Sequence, residues 1–216
     1  NETAEFAVQV AQPWQRRGLG RALLDTLSAY LRERGTRELV GTVAAVHIWP
    51  PGADVPEAVD ELHLDWGGAV GDRHHGVTMS SDTRQKEVFA RGTEIRNHRQ
   101  LSIVDLAELA AIAQGLGIED LAPGTIADNI CTEGLTDLTS LAPLSRLVFA
   151  SGAVLMTGGF NTPCTIAGRM VAARYGSAPE RFPKAAWDLR GITGWVERPG
   201  PIRPGDSVRV VAPTGM

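Results

Sequence analysis

Apolar positions along this chain change their spacing several times. In AEFAVQV, Phe6, Val8 and Val10 alternate with other residues and predict a strand. The run from Arg21 to Arg34 then carries Leu23, Leu24, Leu27, Tyr30 and Leu31 at helical spacing, with Gly35 placed to cap it. RELVG opens a further strand candidate. From Val43 the texture turns to short apolar stretches: VAAVHIW and VDELHLDW read as strands, parted by the turn-rich PPGADVPE. A helix is predicted to open at Ser102, with Asp105 completing a capping-box-like pair. It runs through Ile103, Leu106, Ala110 and Ala113 and closes at Gly115 and Gly117. LSRLVFA and AVLMTG follow as strand-like runs, and a second helix after Cys164 carries Ile166, Met170 and Val171 to Tyr175. The Pro-Gly-Asp turn of IRPGDSVRVVAP reads as a closing hairpin and leads into alternating Val208 and Val210. Many short strands with few helices predict an α+β fold built on a strongly bent sheet or barrel, preceded by a short strand–turn–helix unit.

Composition narrows the partners. The chain has 216 residues, 43% of them hydrophobic and 21% charged, enough to bury a proper core. A formal charge of -4 gives no reason to expect nucleic acid. Lys86 and Lys184 are the only lysines, so a Schiff-base cofactor such as pyridoxal phosphate has two candidate anchors and is not expected. Cys131 and Cys164 are too few for a disulfide scaffold, which fits a reducing cytoplasm. No apolar run approaches the ~20 residues that span a bilayer, so a membrane partner is not expected.

Near the N-terminus, Gln15, Gly18 and Gly20 sit in a glycine-rich turn between strand and helix. There, backbone amides and a helix N-terminus favour a pyrophosphate. The stretch VAQPWQRRGLGRALLDTLSAYLRERG resembles the acetyl-coenzyme A-binding motif of GCN5-related N-acetyltransferases. That resemblance implies acetyl-CoA as a ligand and N-acetyl transfer as one activity. A strand–turn–helix of ~40 residues cannot bury its own apolar stripe, so it must pack on the next domain or on a second subunit, which leaves a homodimer open. The two expected domains are residues 1–42 and residues 43–216.

The stretch NTPCTIAGR puts Cys164 directly after a proline. Thr162 is placed as N-cap, Pro163 as the first helical residue and Cys164 as the next. A cysteine there is either a small hydrophobe or a thiolate lowered in pKa by the helix dipole and free amides. GDRHHG at 71–76, NHRQLSIV at 97–104, PGTIADNI at 123–130, Pro163-Cys164 and IRPGDSV at 202–208 occur in that order. Together they resemble a MOSC domain, the module named for the C-terminal part of molybdenum cofactor sulfurases. The resemblance implies a β-rich barrel, a molybdopterin-type molybdenum cofactor, and a single essential cysteine, which falls on Cys164. In some members that cysteine binds molybdenum in reductases of N-hydroxylated compounds, which draw electrons from a separate reductase. In others it carries sulfur supplied by a donor. A soft thiolate suits both roles.

Around it, Arg73 and His74 lie in a glycine-bounded loop where a phosphate-binding side chain is expected, unless Asp72–Arg73 is a structural ion pair. Asn97, Arg99 and Ser102 lead into the predicted helix, where Ser102 reads equally as an ordinary N-cap. Asp128-Asn129 resembles the family's Glu-Asn pair, with Asn129 the better candidate. The hydroxyls of Thr162 and Thr165 flank the cysteine. Cys131 reads as core. His47 and His63 lack ligand spacing, so zinc is not supported.

Overall fold

The computed structural model describes residues 38–135 and 137–213. Its thirteen strands run β1 (Glu38–Ile48), β2 (Glu57–Val59), β3 (Leu62–Asp65), β4 (Gly68–Ala69), β5 (Thr78–Ser80), β6 (Glu94–Arg96), β7 (Leu101–Asp105), β8 (Ile130–Glu133), β9 (Arg146–Phe149), β10 (Val154–Phe160), β11 (Ile192–Arg198), β12 (Gly200–Ile202) and β13 (Ser207–Val211). Helix α1 (Leu106–Leu116) lies between β7 and β8; α2 (Thr165–Tyr175) and α3 (Phe182–Ala185) lie between β10 and β11. The strand–turn–helix expected near the N-terminus, with Gln15, Gly18 and Gly20, lies outside the described residues.

Seven strands close on themselves in the order β1-β8-β7-β11-β10-β9-β13, with β13 returning to β1 and β2 appended to the outer edge of β1. Closure removes the unpaired edges that an open sheet would expose. β7 and β8 pair in parallel, which requires a crossover, and α1 supplies it. Both strands are buried on two faces. Ile103 and Ile130 point into the barrel with Leu101, Leu147, Leu155 and Val208, while Val104 and Cys131 point outward under Leu109, Ile112, Val171 and Phe182 of the helical layer. Alternate side chains therefore serve two cores, and the strands read as continuous apolar runs.

That double burial explains where the helix predicted at Ser102 begins. Leu101–Asp105 is strand, because its alternating side chains are claimed by the barrel and the outer core. Asp105 is the N-cap instead. It accepts from Ala107 N, while Glu108 accepts in return from Asp105 N, and left-handed Gly117 closes the helix. Three further expectations change. The described part of RELVG, from Glu38, and VAAVHI form one strand, β1. VDELHLDW breaks at Asp60-Glu61 into β2 and β3. The Pro204-Gly205-Asp206 turn joins strands that do not pair with each other: β12 goes to β3 and β13 to β9. Among the described residues, no helix is long and apolar enough to cross a membrane.

Candidate functional site

β11 lies between β7 and β10, with Thr193 opposite Ser102 and Ile192 opposite both Ile103 and Phe160. The ends of three neighbouring strands therefore meet. The segment before β7 carries Arg99, the segment before β11 carries Arg190, and the segment after β10 carries Asn161 to Cys164. A register shift between Thr157 and Gly159 bends β10 just before this exit, as bulges do beside sites.

The polar side chains form one network. Arg99 Nη2 donates to Asn161 Oδ1 at 2.9 Å, and Arg99 Nη1 reaches Thr193 Oγ1 at 3.4 Å. Asn161 Nδ2 donates to Ser102 Oγ at 2.9 Å, and Arg190 Nη1 donates to the same hydroxyl at 3.3 Å while its Nη2 bonds the Ile126 carbonyl. Among the described residues, neither guanidinium forms an ion pair, although Arg190 is only 6% exposed. Burial, then repulsion from Arg84 and Arg190, push the Arg99 pKa down to about 10, opposed by Asp82 and Cys164. Burial also lowers that of Arg190, against the pull of Asp128 and Cys164. Two cations so placed favour an anionic ligand.

Cys164 is exposed and is itself the N-cap of α2, extended at φ −139° and ψ 164°, with its sulfur making no capping bond. The helix thus starts later than a Thr162 cap would place it. Pro163 is buried, and the chain stays extended past it before turning. Thr162 and Thr165 are exposed on either side, and their hydroxyls make no hydrogen bond among the described residues. The first-turn amides of α2 open beside the sulfur. Cys131, in contrast, is fully buried, and burial followed by the nearby carboxylates pushes its thiol pKa far up.

A second cluster surrounds Asp72, 4% exposed. Its Oδ2 accepts from Trp49 N at 2.7 Å and Asn129 Nδ2 at 2.9 Å; its Oδ1 accepts from His74 N at 2.8 Å and meets His74 Nδ1 at 2.9 Å. Burial pushes this carboxyl up, but the bonds from His74 and Trp49 outweigh it and hold the pKa below the usual range. The Asp72–Arg73 ion pair weighed from sequence does not form. Arg73 is exposed and stacks 4.4 Å over the Trp49 ring, and His74 is exposed beside it. His75 turns away to Asp65.

Asn97 and Asn129, both expected at a cofactor, are buried struts. Asn97 donates to the His74 and Gly76 carbonyls and accepts from Arg99 N. Asn129 donates to the His47 carbonyl and Asp72 and accepts from Ser102 N. Each amide thus has both hydrogens engaged within the fold. Through Arg99 N and Ser102 N they tie the Asp72 cluster to the arginine network. Arg190 and Asn161 escaped the sequence reading. The signal for Arg190 was available: a lone charge inside the otherwise uncharged run LRGITG.

A family model described as MOSC domain matches residues 72–209, and one described as Acetyltransferase (GNAT) family matches residues 1–54. YuaD of Bacillus subtilis, named as a candidate metal–sulfur cluster biosynthesis protein, is 40% identical over 159 residues, 72% of this chain and 82% of its own. The crystal structure of the YuaD protein aligns with a TM-score of 0.78 at 35% identity, covering 82% of this chain and 98% of that one. YiiM from Escherichia coli aligns with a TM-score of 0.51 at 16% identity over 81% of this chain and 72% of its own, a likeness of fold alone.

Proposed function

The chain belongs to the MOSC domain family, and we propose from that membership that it holds a molybdopterin-type cofactor through the Cys164 sulfur and reduces N-hydroxylated compounds. The observation that carries this reading is the exposed sulfur at the mouth of α2, close enough to Arg99 and Arg190 to act electrostatically on both guanidiniums, neither of which forms an ion pair among the described residues. The donor set fits such a group: one soft sulfur for a thiophilic metal, and fixed cations for an anionic phosphate. When bound, the molybdenum would supply two-electron redox chemistry, with electrons from a separate reductase.

The chain's own residues then have distinct tasks. Arg99, aligned by Asn161 and Thr193, meets anionic oxygen. Arg190 keeps that corner positive from below and fixes Ser102. Thr162 and Thr165 offer free hydroxyls beside the sulfur, and Arg73 with His74 form the outer wall on Trp49. Asn97 and Asn129 hold these segments in register. The test is molybdenum and pterin analysis of protein from a cofactor-competent host, paired with hydroxylamine reduction by an artificial electron donor. Near-stoichiometric metal that disappears in Cys164→Ala supports the reading; equal metal in both proteins, or none in either, refutes it.

A second reading is a sulfur or cofactor carrier without turnover, favoured by the same exposed sulfur and by the name given to YuaD. It expects a persulfide on Cys164 by mass spectrometry and no reduction of hydroxylamines. Acetyl transfer rests on the match over residues 1–54 and is tested by calorimetry with acetyl-CoA.

A further inference from the structure

We propose that a cavity of about 750 Å³ beside helix α2 binds a small amphiphilic anion, a carboxylate or phosphate ester carrying an apolar body, at a site separate from Cys164. Its volume falls within the range of small-molecule sites. The 54–58 loop, the 123–125 turn and α2 form its walls, and Cys164 is not among the residues lining it.

The floor of the cavity is His47, only 6% exposed, whose ring makes no hydrogen bond; its Nδ1 is sealed from solvent without a partner. The sealed Nδ1 is out of a ligand's reach, but Nε2 also makes no hydrogen bond among the described residues, which leaves the ring a free polar atom for a partner in the void. The ring is held in place by design of the backbone beneath it. Gly124 has φ +82°, and a Cβ there would lie 2.7 Å from the imidazole Cδ2, so any larger residue would displace the ring. Behind it, Asp128 is fully enclosed, with Oδ2 on Gly124 N and Oδ1 unpaired. Burial lowers the His47 pKa against the pull of Asp128, leaving a neutral ring able to donate or accept.

Two cations stand at the rim. Arg174 is steadied by Thr125 Oγ1 at 3.3 Å and by the Tyr175 ring. Arg169 is exposed and makes no hydrogen bond or ion pair among the described residues. Asp54 is the single carboxylate in the lining, so one positive charge is left over, matching one anionic head. Val55, Pro56, Met170 and Ala173 supply an apolar wall for the rest of the ligand.

Calorimetry on the full chain with octanoate, octyl phosphate, octanol and inorganic phosphate tests this site independently of any metal. Octanoate or octyl phosphate should saturate at one equivalent, and whichever binds more tightly identifies the head group. Octanol, which lacks the charge, and inorganic phosphate, which lacks the apolar body, should each bind this cavity at least roughly tenfold more weakly. The Arg169→Ala, Arg174→Ala double variant should lose a similar factor, and Ala173→Trp should weaken binding by filling the void, while Cys164→Ala binds as the parent does. Octanol binding as tightly as octanoate, unaltered affinity in the double arginine variant, or no saturation by either amphiphile would each overturn the proposal.

Discussion

Replacing Glu108 by Gln should reverse its effect on stability between mildly acidic and mildly basic pH. Glu108 is 4% exposed; burial comes first in lifting its carboxyl from 4.5 to about 7, helped by the neighbouring Asp105 and opposed by bonds from Thr139 and Asp105 N. The folded pKa lies above the unfolded one, so the folded state keeps a proton that the unfolded state has already released. Below pH 4.5 there is no penalty; stability falls as pH rises through this window and levels off above pH 7. A shift of this size corresponds to about 3 kcal/mol in all, about 2.5 of it between pH 5 and pH 8. Gln cannot ionise, but it has one acceptor for two N–H donors, Thr139 N at 2.7 Å and Asp105 N at 3.3 Å. Losing the longer bond costs ~1 kcal/mol at every pH. Glu108→Gln is therefore expected to be less stable than the parent at pH 5 and more stable at pH 8. Urea unfolding at constant ionic strength across that range measures the difference, from which Asp105, present in both proteins, largely cancels. A difference independent of pH would refute the reasoning. The outcome bears on the site, because Glu108 holds Thr139 N and Thr139 Oγ1 accepts from Gly191 N, next to Arg190.

Three other outcomes are expected. Asn129→Ala leaves Ser102 N–H, the His47 carbonyl and Asp72 short of partners in the interior, and should cost ~3 kcal/mol in urea unfolding; a loss under ~1 kcal/mol would show that water replaces the strut. Gly191 has φ +75°, and a Cβ there would lie 1.9 Å from the Ile103 carbonyl oxygen, so Gly191→Ala should cost more than ~4 kcal/mol and abolish folded expression at 37 °C. Native alkylation should give one adduct by mass spectrometry, at Cys164, with Cys131 reacting only after denaturation; a doubly labelled native protein would contradict the burial of Cys131.

The barrel was legible because its signals are local. Short alternating runs, glycine-rich turns and the Pro-Cys junction each constrain a few neighbouring residues. Boundaries shifted where the deciding force acted at a distance. Ser102 looked like a cap because a hydroxyl preceded an apolar repeat, but pairing with β11 and β8 drew Leu101–Asp105 into the sheet. The turn before β13 looked like a hairpin, yet β13 is needed across the barrel beside β9. The site followed the same division. Cys164, Arg99 and Ser102 were visible as motif residues, whereas Arg190 acquires its place only because β11 threads between β7 and β10. Asn97 and Asn129 carried motif signals equally strong, but what they bind is the fold itself.

Two cations without ion-pair partners, Arg190 buried and Arg99 half-buried, have a thermodynamic consequence. Keeping Arg99 and Arg190 charged without carboxylate partners costs the folded state, as the depressed pKa of Arg99 records. An anion that binds this corner only in the folded protein recovers part of that cost and stabilises the fold by mass action, by about 2.7 kcal/mol at a hundred times its dissociation constant. Inorganic phosphate should therefore raise the melting temperature in a saturable way, beyond the effect of chloride at equal ionic strength. Arg99→Leu removes the uncompensated charge and the ligand contact together but leaves Asn161 Oδ1 without its donor, so whatever melting temperature it starts from, it should respond to phosphate no further. Arg169→Ala, which alters only the cavity beside α2, should keep the phosphate response. If Arg99→Leu responds as the parent does, the anion binds elsewhere, and the two guanidiniums are a structural feature with no bearing on ligand.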